Sequence, residues 1–131
     1  MTEHTVLDGY FYTKDDTWVR KTETGSIRFG ITDYAQQKLK RIEYLSLPDV
    51  GEKVGQFEAL GEIESMKAVS ELISPLTGQV KAVNGQATDT PSLVNQRPFE
   101  TGWLLELDCE DFGAQTRALM DAAAYRAYRG Q

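Results

Sequence analysis

The chain has 131 residues, a length typical of one domain, and its hydrophobic content of 40% is enough for a buried core. Its 14 basic and 20 acidic side chains give a formal net charge of −6. This charge argues against nucleic acid as a partner, because phosphate binding needs a surplus of lysine and arginine. One cysteine and one histidine are too few for a disulfide framework, a thiolate cluster or a histidine-based zinc site. We therefore expect no metal site and no catalytic residues.

The first residues have neither a basic start nor a long apolar run, so they predict no signal peptide. No segment approaches the ~20 apolar residues of a membrane span. We expect a cytoplasmic protein without a membrane contact. Because no linker-like composition interrupts the chain, we also expect one domain over residues 1–131, with residues 1–9 as a mobile leader.

Short apolar runs separated by turn residues dominate the sequence and predict β-strands. Near-regular strand spacing indicates a sandwich or barrel-like β domain rather than alternating strands and helices. The predicted strands are residues 17–25, 26–30, 42–47, 56–64, 69–74 and 79–83.

Two helices complete the predicted elements. Residues 32–39 predict a short helix, since Thr32 or Asp33 caps its free amides and apolar side chains repeat four residues apart. The alanine-rich tail, residues 111–129, predicts a C-terminal helix that ends at Gly130.

A lysine stands between two predicted strands, in Ser65-Met-Lys-Ala68. Four residues are the length of a tight hairpin connection, and a hairpin tip directs its side chains away from the sheet. We therefore expect Lys67 to be accessible to another protein's active site. Spacing alone does not separate this role from that of a solvated surface charge, with Glu64 and Glu71 as partners worth at most about 1 kcal/mol.

The segments around Lys67 resemble those of the glycine cleavage system H protein family. Phe29-Gly-Ile-Thr-Asp-Tyr-Ala-Gln36 is similar to the family's Gly-Ile-Thr-x-x-Ala-Gln signature. The resemblance extends from about Tyr12 to Tyr128. The other similar segments follow in the family's order: Leu47-Pro-Asp-Val-Gly51, Glu64-Ser-Met-Lys-Ala68, Ser74-Pro-Leu-Thr-Gly-Gln-Val80, Asn84, Pro91-Ser-Leu-Val-Asn95, Gly102-Trp103 and residues 122–125.

The resemblance implies a mainly β fold, a hybrid lipoyl-domain-like β-sandwich with a short helix in its N-terminal half and a C-terminal helix. It implies that Lys67 carries lipoate in amide linkage, with Met66 in place of the family's valine. The protein would be a non-catalytic carrier whose swinging arm shuttles intermediates and electrons between partner enzymes. A lipoate-protein ligase or lipoyl transferase would attach the arm, and we expect a monomer.

Two positions depart from the family pattern. Asp16 stands where the family usually has a histidine, and Lys40-Arg41 replaces a Gly-Asp pair after the first helix. These departures slightly favour a lipoate-binding protein of bacterial sulfur oxidation, whose partner would be a heterodisulfide-reductase-like complex. The alternative is a glycine cleavage H protein that carries the aminomethyl group from glycine decarboxylase to aminomethyltransferase and is reoxidised by dihydrolipoyl dehydrogenase.

Three other classes of protein fit the sequence less well: a biotin carrier, an enzyme and a pure interaction module. Met66-Lys67 is also similar to the Ala-Met-Lys-Met site of biotin carriers, but Ser65 and Ala68 break that tetrapeptide on both sides. An enzyme would need a nucleophile, and the acids beside Cys109 raise the pKa of its thiol and suppress the reactive thiolate. A pure interaction module would not depend on its lysine.

Overall fold

The computed structural model describes residues 3–130. Its strands are β1 (Phe11–Tyr12), β2 (Thr17–Lys21), β3 (Ile27–Ile31), β4 (Ile42–Ser46), β5 (Lys53–Val54), β6 (Ala59–Ser65), β7 (Val69–Ile73), β8 (Gly78–Val83) and β9 (Leu105–Asp108). Its helices are α1 (Asp33–Leu39), α2 (Gly85–Asp89), α3 (Ser92–Gln96), α4 (Phe112–Gln115) and α5 (Ala122–Tyr128). Within the described range, no helix is both long enough and apolar enough to cross a membrane.

The strands form two antiparallel sheets. One sheet has six strands in the order β1-β2-β3-β9-β8-β5, and the other has three in the order β4-β6-β7. Inward-facing side chains of both sheets build the main core, among them Phe29 and Leu107 from the larger sheet and Ile63 and Leu72 from the smaller one. Each such buried side chain stabilises the fold by about 1.5–3 kcal/mol. The mainly β sandwich expected from the sequence is confirmed.

A second apolar cluster covers the outer face of the larger sheet. At its centre the buried Trp18 lies directly opposite Gly30 on the neighbouring strand. A Cβ atom at Gly30 would lie 3.0 Å from the indole, closer than such atoms usually pack, so another residue here would need the indole to shift. Tyr12 and Tyr125 stack with ring centroids 4.6 Å apart, which attaches α5 to the sheet.

The tail differs from the single helix predicted for residues 111–129. It consists of α4, a 3-10 turn at Thr116–Ala118 and α5. Between them Leu119 is extended, and Met120 exchanges two main-chain hydrogen bonds of 2.8 Å with Tyr12 of the edge strand β1. Asp121 then caps α5 by accepting a hydrogen bond from the Ala124 amide. The single-helix prediction is wrong because strand pairing outweighs the helical preference of the local sequence.

The N-terminal residues pack against the rest of the fold over the part that the structure describes. His4 and Val6 are buried, and the Thr5 amide donates a 2.7 Å hydrogen bond to the Asp33 carboxylate. Arg126 of α5 donates a 2.9 Å hydrogen bond to the Val6 carbonyl. The predicted leader therefore docks on α1 and α5 from residue 3 onward, while its first two residues lie outside the described range.

Candidate functional site

Lys67 lies at the tip of the hairpin that joins β6 and β7, and it is exposed. The buried Ser65 closes this tip from within. Its hydroxyl accepts hydrogen bonds from the amides of Lys67 at 3.2 Å and Ala68 at 3.3 Å. Its own amide donates to the Ala68 carbonyl at 2.9 Å. The main chain that carries the lysine is therefore held by local hydrogen bonds.

The tip is also attached to the connection between α1 and β4. The Met66 amide donates a 3.0 Å hydrogen bond to the Arg41 carbonyl. The Lys67 Nζ donates to the Lys38 carbonyl at the longer distance of 3.4 Å. Both acceptors are main-chain atoms, one in the last turn of α1 and one in the connection, so these two hydrogen bonds depend on the path of the main chain.

Asn95 of α3 holds that connection in place. Its Nδ2 donates a 2.7 Å hydrogen bond to the Lys40 carbonyl, and its Oδ1 accepts one of 2.9 Å from the Ile42 amide. Lys40 itself has φ 66 and ψ −149, a backbone conformation that is nearly restricted to glycine. Lys40 thus adopts a glycine's geometry at the position where the family pattern has glycine. Asn95 belongs to one of the segments that resemble the family, but the sequence alone does not indicate its structural role.

A cavity of about 300 Å³ opens beside Lys67. A volume of this order, with mainly apolar walls and a few polar groups, is typical of sites for small ligands. The cavity lies between the β1–β2 turn, α1 and the β6–β7 hairpin. Its apolar lining includes Ile31, Leu39, Ile63 and Leu72, and its polar lining includes Asp15, Asp16, Lys38, Lys67 and Glu71.

Asp16 lines this cavity and forms an ion pair with Arg129, just beyond α5. Only 14% of the Asp16 side chain and 19% of the Arg129 side chain are exposed. Burial alone would lower the pKa of Arg129, but the hydrogen bonds and charge of Asp16 raise it above its ordinary value. The acid that replaces the family's histidine is thus matched by a cation from the end of the chain.

The cysteine and the histidine considered from the sequence, Cys109 and His4, are packed against other parts of the fold. Burial, with a smaller effect of Asp108, raises the pKa of the Cys109 thiol to about 11, so this thiol stays protonated near neutral pH. The His4 ring packs edge-on against Tyr34 and Tyr125. Within residues 3–130, no three histidine, cysteine or acidic side chains form a group that could hold a metal ion.

The fold and site thus combine a β-sandwich with one primary amine on a well-held hairpin tip and an adjoining small cavity. An accessible amine can accept the acyl group of an activated carboxylic acid, which loses its activating group, and this needs no acid or base group of the carrier itself. This combination is typical of carrier domains that bear a covalently attached prosthetic group.

Comparisons with known proteins identify the family. The glycine cleavage H-protein family model matches residues 10–131. The chain is 42% identical to a probable glycine cleavage system H protein of Thermococcus gammatolerans over 96% of this chain and 93% of that protein. It is 46% identical to a glycine cleavage system H protein of Mycolicibacterium vanbaalenii over 89% of this chain and 91% of that protein.

The fold gives the same assignment. A crystal structure of a glycine cleavage system H protein from Mycobacterium marinum matches with a TM-score of 0.83 at 33% sequence identity, covering 96% of this chain and 100% of that one. The chain belongs to the glycine cleavage H-protein family. Proteins of this family are non-catalytic carriers with lipoate attached covalently to a lysine.

These findings favour the alternative interpretation over the slight preference for sulfur oxidation. The relatives described above are glycine cleavage proteins, and no finding supports a heterodisulfide-reductase-like partner. The two departures that suggested sulfur oxidation also have structural explanations here. Asp16 is paired with Arg129, and Lys40 is held in a glycine-like conformation by Asn95.

Proposed function

We propose that this protein is the lipoyl carrier of a glycine cleavage system and that its lipoate is attached to Lys67. It would carry the aminomethyl group from glycine decarboxylase to aminomethyltransferase and be reoxidised by dihydrolipoyl dehydrogenase. A lipoate-protein ligase or lipoyl transferase would attach the arm. The observation that carries the proposal is the exposed amine of Lys67 at a hairpin tip, at the rim of a mainly apolar cavity.

The residues around Lys67 suit such an attachment. Among the described residues, no ion pair involves Lys67, so its amine is available for acylation. The hydrogen bonds of Ser65 and Met66 hold the tip in place, which gives an attaching enzyme a fixed target. When bound, a lipoyl group supplies a disulfide that accepts a chemical group or two electrons. The apolar cavity wall suits the hydrocarbon part of such an arm.

The outer face of the small sheet offers a contact surface next to the tip. Tyr44, Glu64 and Val69 lie in one cross-strand row, and Tyr44 and Val69 are 60% and 57% exposed. Met66 at the tip is 63% exposed. Exposed apolar side chains grouped beside the proposed attachment site support a surface that contacts partner proteins.

Attachment at Lys67 is tested by incubating the unmodified protein with a lipoate-protein ligase, lipoate and ATP. We expect one lipoyl group per chain, found by peptide mass spectrometry on the peptide that contains Lys67. Lys67→Arg should keep the thermal unfolding midpoint of the parent but take up no lipoate. Lys53→Arg, a change of another exposed lysine, should be modified like the parent. Modification of Lys67→Arg at another lysine would contradict the proposed site.

The pathway is tested by reconstitution. Added to glycine decarboxylase, aminomethyltransferase and dihydrolipoyl dehydrogenase, with tetrahydrofolate as one-carbon acceptor and NAD+ as electron acceptor, the lipoylated protein should support glycine-dependent formation of NADH. Lys67→Arg should support none. Full activity of Lys67→Arg would overturn the carrier function. Lipoylation without any glycine-dependent turnover would retain the lipoyl carrier but reject this pathway.

One domain and a cytoplasmic location remain part of the proposal, and cell fractionation checks the location.

A further inference from the structure

Arg129, which directly follows α5, contacts residues of two elements that line the cavity beside Lys67. Its Nε donates a 2.9 Å hydrogen bond to Asp16 Oδ1, and its Nη2 donates one of 2.6 Å to Asp16 Oδ2. The same guanidinium lies over the ring of Tyr34, 4.2 Å from its centroid. One planar group therefore binds a carboxylate through both oxygens and stacks on an aromatic ring.

These two partners belong to different parts of the cavity wall. Asp16 lies in the β1–β2 turn and itself lines the cavity. Tyr34 belongs to α1, whose Ala35, Lys38 and Leu39 line the cavity on the other side. A main-chain hydrogen bond of 2.9 Å from the Thr32 amide to the Asp16 carbonyl already joins the two segments at one end. Arg129 adds a side-chain link between them.

The turn that carries Asp16 needs such support. Asp16 has φ 64, a left-handed conformation that is uncommon for residues other than glycine. Its largely buried carboxylate also requires compensating partners. Besides Arg129, Asp16 accepts a 2.8 Å hydrogen bond from the Tyr125 hydroxyl. Without Arg129, one hydroxyl would remain to hold a buried carboxylate on a strained turn.

We propose that Arg129 is a positioning residue for the lipoyl arm, because it holds together the β1–β2 turn and α1, which form two of the walls of the cavity beside Lys67. This inference rests on the proposed attachment of lipoate to Lys67. The bidentate contact and the stacking both need the planar guanidinium, so a lysine at this position would replace its charge but not its geometry.

The first test uses the unmodified chain and measures amide hydrogen exchange. Arg129→Gln should increase exchange at the amides of Asp16 and Thr32, which hold the turn, relative to the parent. The matched control is Arg126→Gln. It removes the same charge from the same region of the chain, but the side chain of Arg126 bonds to Asp8 and Val6, whereas that of Arg129 bonds to Asp16 and stacks on Tyr34. This control should leave the exchange of Asp16 and Thr32 unchanged.

The second test measures how strongly the cavity protects the disulfide of the lipoyl arm from a reductant. A role of Arg129 in stability alone would not change this protection. In the lipoylated parent, a water-soluble phosphine should reduce the arm's disulfide more slowly than it reduces free lipoamide. Arg129→Gln should speed this reduction about fivefold, and Arg129→Lys should give an intermediate rate. Arg126→Gln should match the parent.

Three results would overturn the inference. The first is a parent arm that is reduced as fast as free lipoamide. The second is faster hydrogen exchange in Arg129→Gln without a change in the reduction rate. The third is no change in either measurement. Failure of Lys67 to take up lipoate would instead overturn the proposed function, together with the inference that depends on it, and mass spectrometry detects that failure separately.

Discussion

Lys40 has a backbone conformation that lysine rarely adopts. Its φ of 66 and ψ of −149 lie near the region that glycine alone adopts readily. The two hydrogen bonds of Asn95 on either side keep the chain in this path. The lysine thus occupies a conformation that the surrounding structure imposes and that its own Cβ atom disfavours.

Lys40→Gly should therefore stabilise the protein. Removing the Cβ atom relieves roughly 1–3 kcal/mol of strain, and the greater freedom of glycine in the unfolded chain costs about 0.5–1 kcal/mol. We expect a net gain of about 1 kcal/mol in the free energy of unfolding, measured by urea denaturation. The matched control is Lys38→Gly, which places the same change in the regular helix α1 and should destabilise the protein. Equal losses of unfolding free energy in Lys40→Gly and Lys38→Gly would contradict the backbone strain assigned to Lys40.

The β6–β7 hairpin is the element that presents Lys67, and its tip depends on one buried hydroxyl. Ser65 is 6% exposed and accepts hydrogen bonds from two tip amides. Without this hydroxyl the two amides lose their acceptor, and the tip has more conformations available. A ligase that needs one geometry of the lysine would then meet it less often.

Ser65→Ala should lower the free energy of unfolding by about 1 kcal/mol. It should also lower kcat/KM for lipoylation by a ligase about fivefold. Thermal denaturation and a ligase assay measure the two effects. Ser46→Ala, at an exposed position of the neighbouring strand β4, is the control and should change neither. A normal ligase rate in Ser65→Ala would show that the hydroxyl does not set the geometry of the tip.

Local patterns predicted some elements and not others. Helix α1 and strands β2, β3, β4, β6, β7 and β8 follow from capping and alternation, and the structure has them with shifted ends. Strands β1 and β5 have two residues each, too few for a period-2 pattern. The tail is interrupted at Met120 because the edge strand β1 binds it, which is a tertiary contact with no local signal except the capping residue Asp121.

At the scale of the whole molecule, two apolar clusters hold different parts of the chain. The main core joins the two sheets, and the second cluster joins the larger sheet to α5 and to the N-terminal residues. His4 connects the N-terminal residues to α1 and α5 through Tyr34 and Tyr125. Docking of these residues should therefore respond to the charge of His4.

The sign of this response follows from the pKa. Burial lowers the pKa of His4 below its ordinary value of 6.5, although Asp33 and Asp16 partly oppose this effect. The native state thus favours neutral His4. Its contribution to stability is complete above the unfolded pKa and is lost progressively as the pH falls through 6.5 toward the lowered native pKa.

We expect the parent to lose stability relative to His4→Phe as the pH falls from about 7 to about 5. Phenylalanine retains a ring against Tyr34 and Tyr125 but does not titrate. Urea denaturation at a series of pH values measures the difference in the free energy of unfolding between the two proteins. The titration of the acidic residues contributes to both proteins and cancels in this difference. A constant difference across this range would contradict the assigned pKa shift.

The candidate site can be predicted from the sequence only in part. Lys67 and its hairpin follow from local spacing together with the family resemblance. The cavity does not, because its lining comes from the β1–β2 turn, α1 and the hairpin, which are distant in sequence. The partnership of Asp16 with Arg129 spans 113 residues and has no sequence signal at either end.

The hairpin tip forms two hydrogen bonds with carbonyl oxygens of the neighbouring segment, those of Lys38 in the last turn of α1 and of Arg41 in the connection to β4. Every amino acid supplies a carbonyl oxygen, so different side chains at 38 and 41 can satisfy the same two contacts. The charge displayed around the attachment lysine can therefore vary independently of the lysine's position. A protein built this way can acquire a new electrostatic surface for its partners without rebuilding the arm's point of attachment.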